Sequence, residues 1–447
     1  SSNASWSSAA TSDNCVIYSS GSIACKGTIS ANSIVPAGYF SVKDCGAVGD
    51  DSADDTAAIR TCLALAANYT VMASTALRQT VWFPKGVYKV SSTIQVPSYV
   101  KIDMDGQLKN YLADIYAPVL WFSSYTDVGV MNINAAQGSG VRFGNNAVYN
   151  DIKIGKMLIT NVGTSITGQT PQFGIELRGY VFQWDYAEVY GGNQGLYSTA
   201  SSDLKANATQ LAGTVNGIGI TSCEHFVMSN TDVDTYQQVG IQIDSSHDIS
   251  IDGQVWNQEQ VNLAIYKPFA GVLIGSYTAA GSSNTNTGIN LRLNVLNSGT
   301  TALTLMNVDH SRFDLNVFQG PLFTSFTSTI SVGVQYGINV GTDIWVNANF
   351  DGDVPTKIIG TVRGVLEMVS TSSKTITGVH QVNGLFFGNN SQDRFFCNTA
   401  AALRAATPEG HTATTINVAF NCDDFDIYTS TGSLVGQWRS TRTGAGP

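Results

Sequence analysis

Charge is scarce in this chain. Asp, Glu, Lys and Arg together make up 13% of its 447 residues. The 23 basic residues are outnumbered by 33 acidic ones, which leaves a net charge of −10. Phosphate recognition draws on Lys and Arg, so nucleic acid is not an expected partner. Polyanionic glycans are disfavoured unless a basic groove gathers locally. No apolar run is long enough to span a bilayer, and membrane insertion is not expected. The zinc-type spacing of Cys and His, the phosphate-cradling Gly loop and the Ser elbow of hydrolases are all missing. No metal ligand set is assigned and no cofactor is expected. Ca²⁺ on clustered Asp residues is the one ion considered, and such Asp clusters more often serve turns. The chain starts at Ser1 without Met or signal peptide, as in a processed or trimmed chain.

Glycine is plentiful at 44 residues, and Asn, Ser and Thr are abundant. Short strands with tight turns suit that composition, because turn side chains supply the hydrogen bonds. A chain of 447 residues exceeds one compact core but is ordinary for a solenoid. From about Val96, β-rich segments recur at Asp127–Phe143, Asp151–Leu177, Phe182–Tyr197, Phe226–Ile243, Ile249–Ile265 and Val272–Leu291. Each is close to one solenoid turn. The strings GIEL, GLYS, GIQI, NLAI and GINL are expected at equivalent places in them. Thr199–Asn216 is expected to be an insertion in the third coil. The repeat fades after about Val365, and residues 376–447 are expected to form a C-terminal cap or small β domain.

At the start of this region, FSVKDCGAVGDDSADDTAAI (Phe40–Ile59) is followed by VWFPKGVY (Val81–Tyr88). A strand, a Gly/Asp turn, a helix capped by Asp54 or Asp55 and a Pro-Lys-Gly turn are expected. These segments resemble the entry to the right-handed parallel β-helix of the pectate-lyase-like superfamily. That superfamily holds polysaccharide hydrolases, lyases, epimerases and phage tailspike depolymerases. Cys45 departs from the usual aromatic residue, and Asp51-Ser52-Ala53 from the common Gly-Val-Thr-like turn. The resemblance implies an all-β solenoid with residues 1–38 as an arm, 39–95 as entry cap and 96–375 as β-helix. The helix Asp55–Ala67 would close the open end with Ile59, Cys62, Leu63 and Ala66 on one side. It also implies a polysaccharide partner, a secreted or virion-displayed location and a homotrimer as one assembly.

Cys15 with Cys25, Cys45 with Cys62 and Cys397 with Cys422 form three local pairs, disulfide candidates in an oxidising compartment, and Cys223 is left over. The alternative is that they are small buried apolar residues.

Laying the coils over one another aligns YAEVY (Tyr186–Tyr190), NTDVD (Asn230–Asp234) and GQVWN (Gly253–Asn257). Glu188, Asp232 and Asp234 are the candidate catalytic acids, with Glu188 expected beside Asp232. Carboxyls on neighbouring coils suit a retaining glycosidase, and a diagonal pair suits an inverting one. Trp184, Tyr186, Tyr190, Tyr236 and Trp256 are candidate sugar platforms, and Arg178 could hold a substrate oxygen or pair with Glu176. The competing reading makes these Asp residues turn formers and the rings a core ladder. His225, His247 and His310 each adjoin an acid, but strand neighbours face opposite ways. Of the three, His225 is the one worth testing. Between Val181 and Leu263 the only basic residue is Lys205. A uronate lyase or epimerase needs cations or a metal there. The expected function is therefore a glycoside hydrolase acting on a neutral or amino-sugar polysaccharide. A lyase or epimerase, and a non-catalytic glycan-binding or structural β-helix, stand as alternatives.

Overall fold

The computed structural model describes residues 39–316 except 74–77, 145–148, 168–169, 258–269, 276–285, 297–301 and 306–307, with the backbones of short strands on either side. Side chains at 69–73, 149, 166–167 and 170 are also outside the described set.

The architecture is a right-handed parallel β-helix. Eight long strands carry the argument that follows. They are β1 (Asp127–Asn134), β2 (Tyr149–Val162), β3 (Tyr180–Gly191) and β4 (Ser202–Ala212). The other four are β5 (Glu224–Asp234), β6 (His247–Trp256), β7 (Asn290–Leu296) and β8 (Ser311–Phe318). Each pairs in parallel with the next. After each long strand the chain adds a short strand to a second parallel sheet, through Phe173–Leu177, Gln194–Thr199, Asn216–Thr221, Val239–Asp244 and Ala270–Ile274.

Thr199–Asn216 is therefore not an insertion. Its β4 sits between β3 and β5 as a full coil, and Asn216–Thr221 completes it. The inward residues of β4 are Leu204, Ala206, Thr209 and Leu211. Two of the four are small or polar, because the Trp184 ring of β3 lies fully buried beside them and donates its Nε1 hydrogen to Thr209 Oγ1 at 3.0 Å. The GIEL, GLYS and GIQI strings do stack, joined by GIGI (Gly217–Ile220) and GVLI (Gly271–Ile274). Their glycines are steric: a Cβ on Gly217 would collide with Val233 and the Gly240 carbonyl. GINL instead runs into β7 of the long sheet, and NLAI lies outside the described residues.

One residue per coil adopts positive φ at the entrance to the long strand, including Val181, Asp203, His225 and Asp248. Two positions before it, Ser201, Cys223, Ser246 and Asn286 form a buried polar ladder. Cys223 N donates to Ser246 Oγ at 3.1 Å, and Ser246 N to Asn286 Oδ1 at 3.1 Å. Cys223, a free thiol, occupies a rung of that ladder.

The cap follows from its local chemistry. The helix α1 spans Thr56–Ala73 and buries Ile59, Cys62, Leu63 and Ala66. Asp55 is its N-cap: its carbonyl accepts Ile59 N at 2.9 Å, while its carboxylate turns back to Val48 N at 2.6 Å and Gly49 N at 3.1 Å. Asp54 accepts Thr56 N at 3.0 Å. Of the three expected disulfides, one falls on described side chains: Cys45 and Cys62 are bonded, with Cα atoms 5.5 Å apart. Cys15 and Cys25 face each other across an antiparallel backbone pair, their side chains being outside the described set. Cys422 lies outside the described residues, and so does the side chain of Cys397, its expected partner. Among the described residues no helix is long and apolar enough to cross a membrane.

Candidate functional site

In an ordinary strand inward residues alternate with outward ones. Here the inward positions of β3 are Phe182, Trp184, Ala187 and Val189, with one interval of three. The same interval occurs in β4 (Ala206 to Thr209) and β5 (Met228 to Thr231). Each strand thus carries an extra outward residue, which bends it as a bulge does. The stack ends at β6, where Met228 and Thr231 of β5 face Ile251 and Gly253 across a register shift. Asn230 takes φ 52° on the β5 side, and a Cβ on Gly253 would strike the Thr231 backbone.

At this mismatch a cleft of about 480 Å³ opens, lined by Asn230, Asp232, Asp252, Gly253, Gln254, Arg292 and Asn294 among others. Asp232 is half-buried, and burial pushes its carboxyl above the usual carboxylate value against an opposing hydrogen bond from Gln254, with the charge of Asp234 adding a smaller push upward. Asp232 Oδ1 and Asp234 Oδ1 have no hydrogen-bond partner. Arg292 Nη1 lies 3.5 Å from Asp252 Oδ2, and both side chains are well exposed.

Asp232 belongs to a polar row in strict register: Glu188, Gln210, Asp232, Gln254, Asn294 and Asn316 face outward on six successive strands. Glu188 is therefore two coils from Asp232, with Gln210 between, and not beside it as expected. Its carboxylate is clamped by Tyr190 OH at 2.6 Å and Tyr186 OH at 2.9 Å. Burial and the adjacent Glu188 push the Tyr186 phenol up to about 12. Asp232 and Asp234 do share the outward face, and Trp256 stands opposite Asp234 on β6, half-buried.

Three expected site residues lie elsewhere. Trp184 and Tyr236 are core residues at 1% exposure and cannot meet a sugar. Arg178 follows a strand of the second sheet and pairs with the buried Glu176 (Nε–Oε1 2.6 Å), which Arg142 also holds at 2.6 Å. His225 stands between Asp203 and Asp248 at 3.6 Å each, exposed at the coil corner. Among the described residues no three His, Cys, Asp or Glu side chains converge as a metal site. Asp252, Gln254 and Arg292 were missed as site residues. The sequence signal that marks them is the lost three-residue interval between inward positions in β6.

A family model described as "Rhamnogalacturonase A/epimerase, pectate lyase-like" matches residues 39–264. No curated protein sequence matches the chain. Solved structures with a similar chain path include the Dettilon tailspike protein, at 11% identity over 88% of this chain and 76% of that one, TM-score 0.47. The surface adhesin PfbA of Streptococcus pneumoniae matches at 11% identity over 88% and 98%, TM-score 0.44. The GH87 alpha-1,3-glucanase catalytic unit of Streptomyces thermodiastaticus matches at 14% over 82% and 69%, TM-score 0.40. Likenesses of this size say nothing about chemistry.

Proposed function

The chain belongs to the rhamnogalacturonase A/epimerase, pectate lyase-like family, and from that premise we propose that it binds a polysaccharide along the long sheet and hydrolyses it in the cleft between β5 and β6. The observation that carries this reading is the pairing of two unlike carboxyls in one cleft. Asp232, with its raised pKa, is suited to deliver a proton to the leaving glycosidic oxygen. Asp252, more open and facing Arg292, is suited to take a proton from the attacking water. One coil (~4.8 Å) and two strand residues (~3.3 Å each) set their backbone positions about 8 Å apart on the diagonal, a spacing from which two outward carboxyls can span the ~6.5–9.5 Å of inverting enzymes. Water attacks the anomeric carbon as the glycosidic bond breaks, one proton passes to Asp252 and Asp232 gives up its own.

The lining carries Asp232 and Asp252 against the single cation Arg292, which supports a neutral or amino-sugar polysaccharide. Asp232→Asn and Asp252→Asn are each expected to lower reducing-end release by at least about 100-fold, with an unchanged thermal transition. Full activity in both would remove the hydrolytic reading. A lyase or epimerase reading draws on Arg292, which could face a substrate carboxylate, and ultraviolet-absorbing unsaturated products would establish its lyase branch. Extracellular or virion display and a homotrimer belong to the same proposal, the latter tested by light scattering.

A further inference from the structure

We propose that Glu188, Tyr186, Tyr190 and Gln210 form a separate glycan subsite two coils from the cleft, which takes an uncharged sugar unit of the bound chain. The inference rests on the cleft reading only in supposing that the same polysaccharide reaches both places. Coil spacing puts the row positions of Glu188 and Asp232 about 9.6 Å apart, so Glu188 is removed from the cleft chemistry and its strand faces a different length of the ligand.

The cluster has what saccharide recognition needs. Tyr190 is 45% exposed, and its neighbour in register on β4 is Ala212, too small to cover the ring. The Tyr190 hydroxyl donates to Glu188 Oε1 at 2.6 Å, which fixes the ring's orientation before any ligand arrives. The other Glu188 oxygen lies 2.9 Å from Tyr186 OH, and that hydroxyl also lies 2.8 Å from the Gln210 side-chain amide. Tyr186 has one hydroxyl hydrogen and Glu188 takes it, so the Gln210 amide meets the phenol oxygen through its NH₂ group; a second N–H and the amide oxygen remain for a ligand, and Glu188 retains acceptor sites beyond the two it uses. A flat ring with a fixed acceptor and a fixed donor beside it matches the apolar face and hydroxyl edge of a pyranose. Charge selects the unit. A carboxylated or sulfated sugar stacked on Tyr190 would have to approach the Glu188 carboxylate directly, while the Lys156 ammonium is engaged with the Tyr186 ring at 5.1 Å.

The test is affinity electrophoresis of the full chain in gels holding dextran, galactomannan or xyloglucan, with polygalacturonate as the charged comparison. Wild-type protein is expected to be retarded by at least one neutral polymer. Tyr190→Ala and Gln210→Ala, both at exposed positions, are each expected to weaken that retardation about tenfold, with thermal transitions unchanged. Wild-type retardation by polygalacturonate alone, no retardation by any polymer, or undiminished retardation of both variants would each overturn the proposal. The two readings fail separately. Loss of binding in Tyr190→Ala alongside an inert Asp232→Asn comparison, with no cleavage by wild type, leaves the subsite and removes hydrolysis. Cleavage that depends on Asp232 but binding indifferent to Tyr190 and Gln210 does the reverse.

Discussion

Asp232 and Asp234 sit two residues apart on one outward face, and each has an oxygen without a partner. Burial raises the Asp232 pKa, and the Asp234 charge adds to that. If protonated Asp232 is the acid, the alkaline limb of the kcat/KM profile reports its ionisation. Asp234→Asn removes one raising cause, so that limb is expected to move to lower pH, read directly from the pH–rate profile. An unmoved limb would assign the acid elsewhere. The same shift bears on stability. A carboxyl with a raised folded-state pKa binds its proton more tightly in the fold, so its contribution is present at low pH and is lost as pH rises above the unfolded value of 3.8 towards the folded one. At Glu188 two phenol hydroxyls donate to one carboxylate, an arrangement that builds a fixed surface for recognition.

The elements show which parts of the sequence were readable. Asp54, Asp55, Gly46, Gly49 and the run Ile59–Ala66 state the cap almost residue by residue, because capping and turn chemistry are local. The Cys45–Cys62 disulfide ties the entry turn to α1 across a separation of 17 residues. Loop-closure entropy gives such a bridge about 3 kcal/mol, so Cys45→Ser with Cys62→Ala is expected to lower unfolding stability by that order in a denaturant titration, and the loss should fall on the cap. The coil holding β4 was unreadable for a physical reason. Ala206 and Thr209 stand where its neighbours place Trp184, Ala187, Met228 and Thr231, so its apolar period is faint while the stack as a whole fills the core. Misplacing it put Glu188 beside Asp232. The scarcity of cations between Val181 and Leu263 does not extend to the cleft, because Arg292 enters it from the next coil. The cleft escaped notice because it depends on where a three-residue inward interval stops, a relation between strands that no single strand displays.

At the scale of the molecule, each coil touches only the coils above and below it, so the body behaves as a one-dimensional stack. Asp203 and His225 occupy the same corner with positive φ in consecutive coils, which makes the coil between them 22 residues long by their numbering. Excising residues 202–223 should therefore join Ser201 to Glu224 without loss of phase. Strand β3 would meet β5 with Phe182 over Phe226, Trp184 over Met228 and Val189 over Val233, since both strands pair with β4 at the same positions. The Trp184 Nε1 hydrogen, deprived of Thr209, would find Thr231, whose Oγ1 is now buried without a partner. The three-residue inward intervals of β3 and β5 would still coincide, so the bend would pass through and still end at β6. A cooperative thermal transition and unchanged β-sheet circular dichroism are expected for this deletion, whereas removing only 202–212 throws every later strand out of phase and is expected to abolish folding. If the 22-residue deletion unfolds the chain while a substitution of the whole segment by a flexible linker does not, the segment is a dispensable insertion after all. The folded deletion also removes Gln210 and sets Glu188 in register beside Asp232, so it is expected to retain the thermal transition while losing retardation by neutral glycans, as Gln210→Ala does.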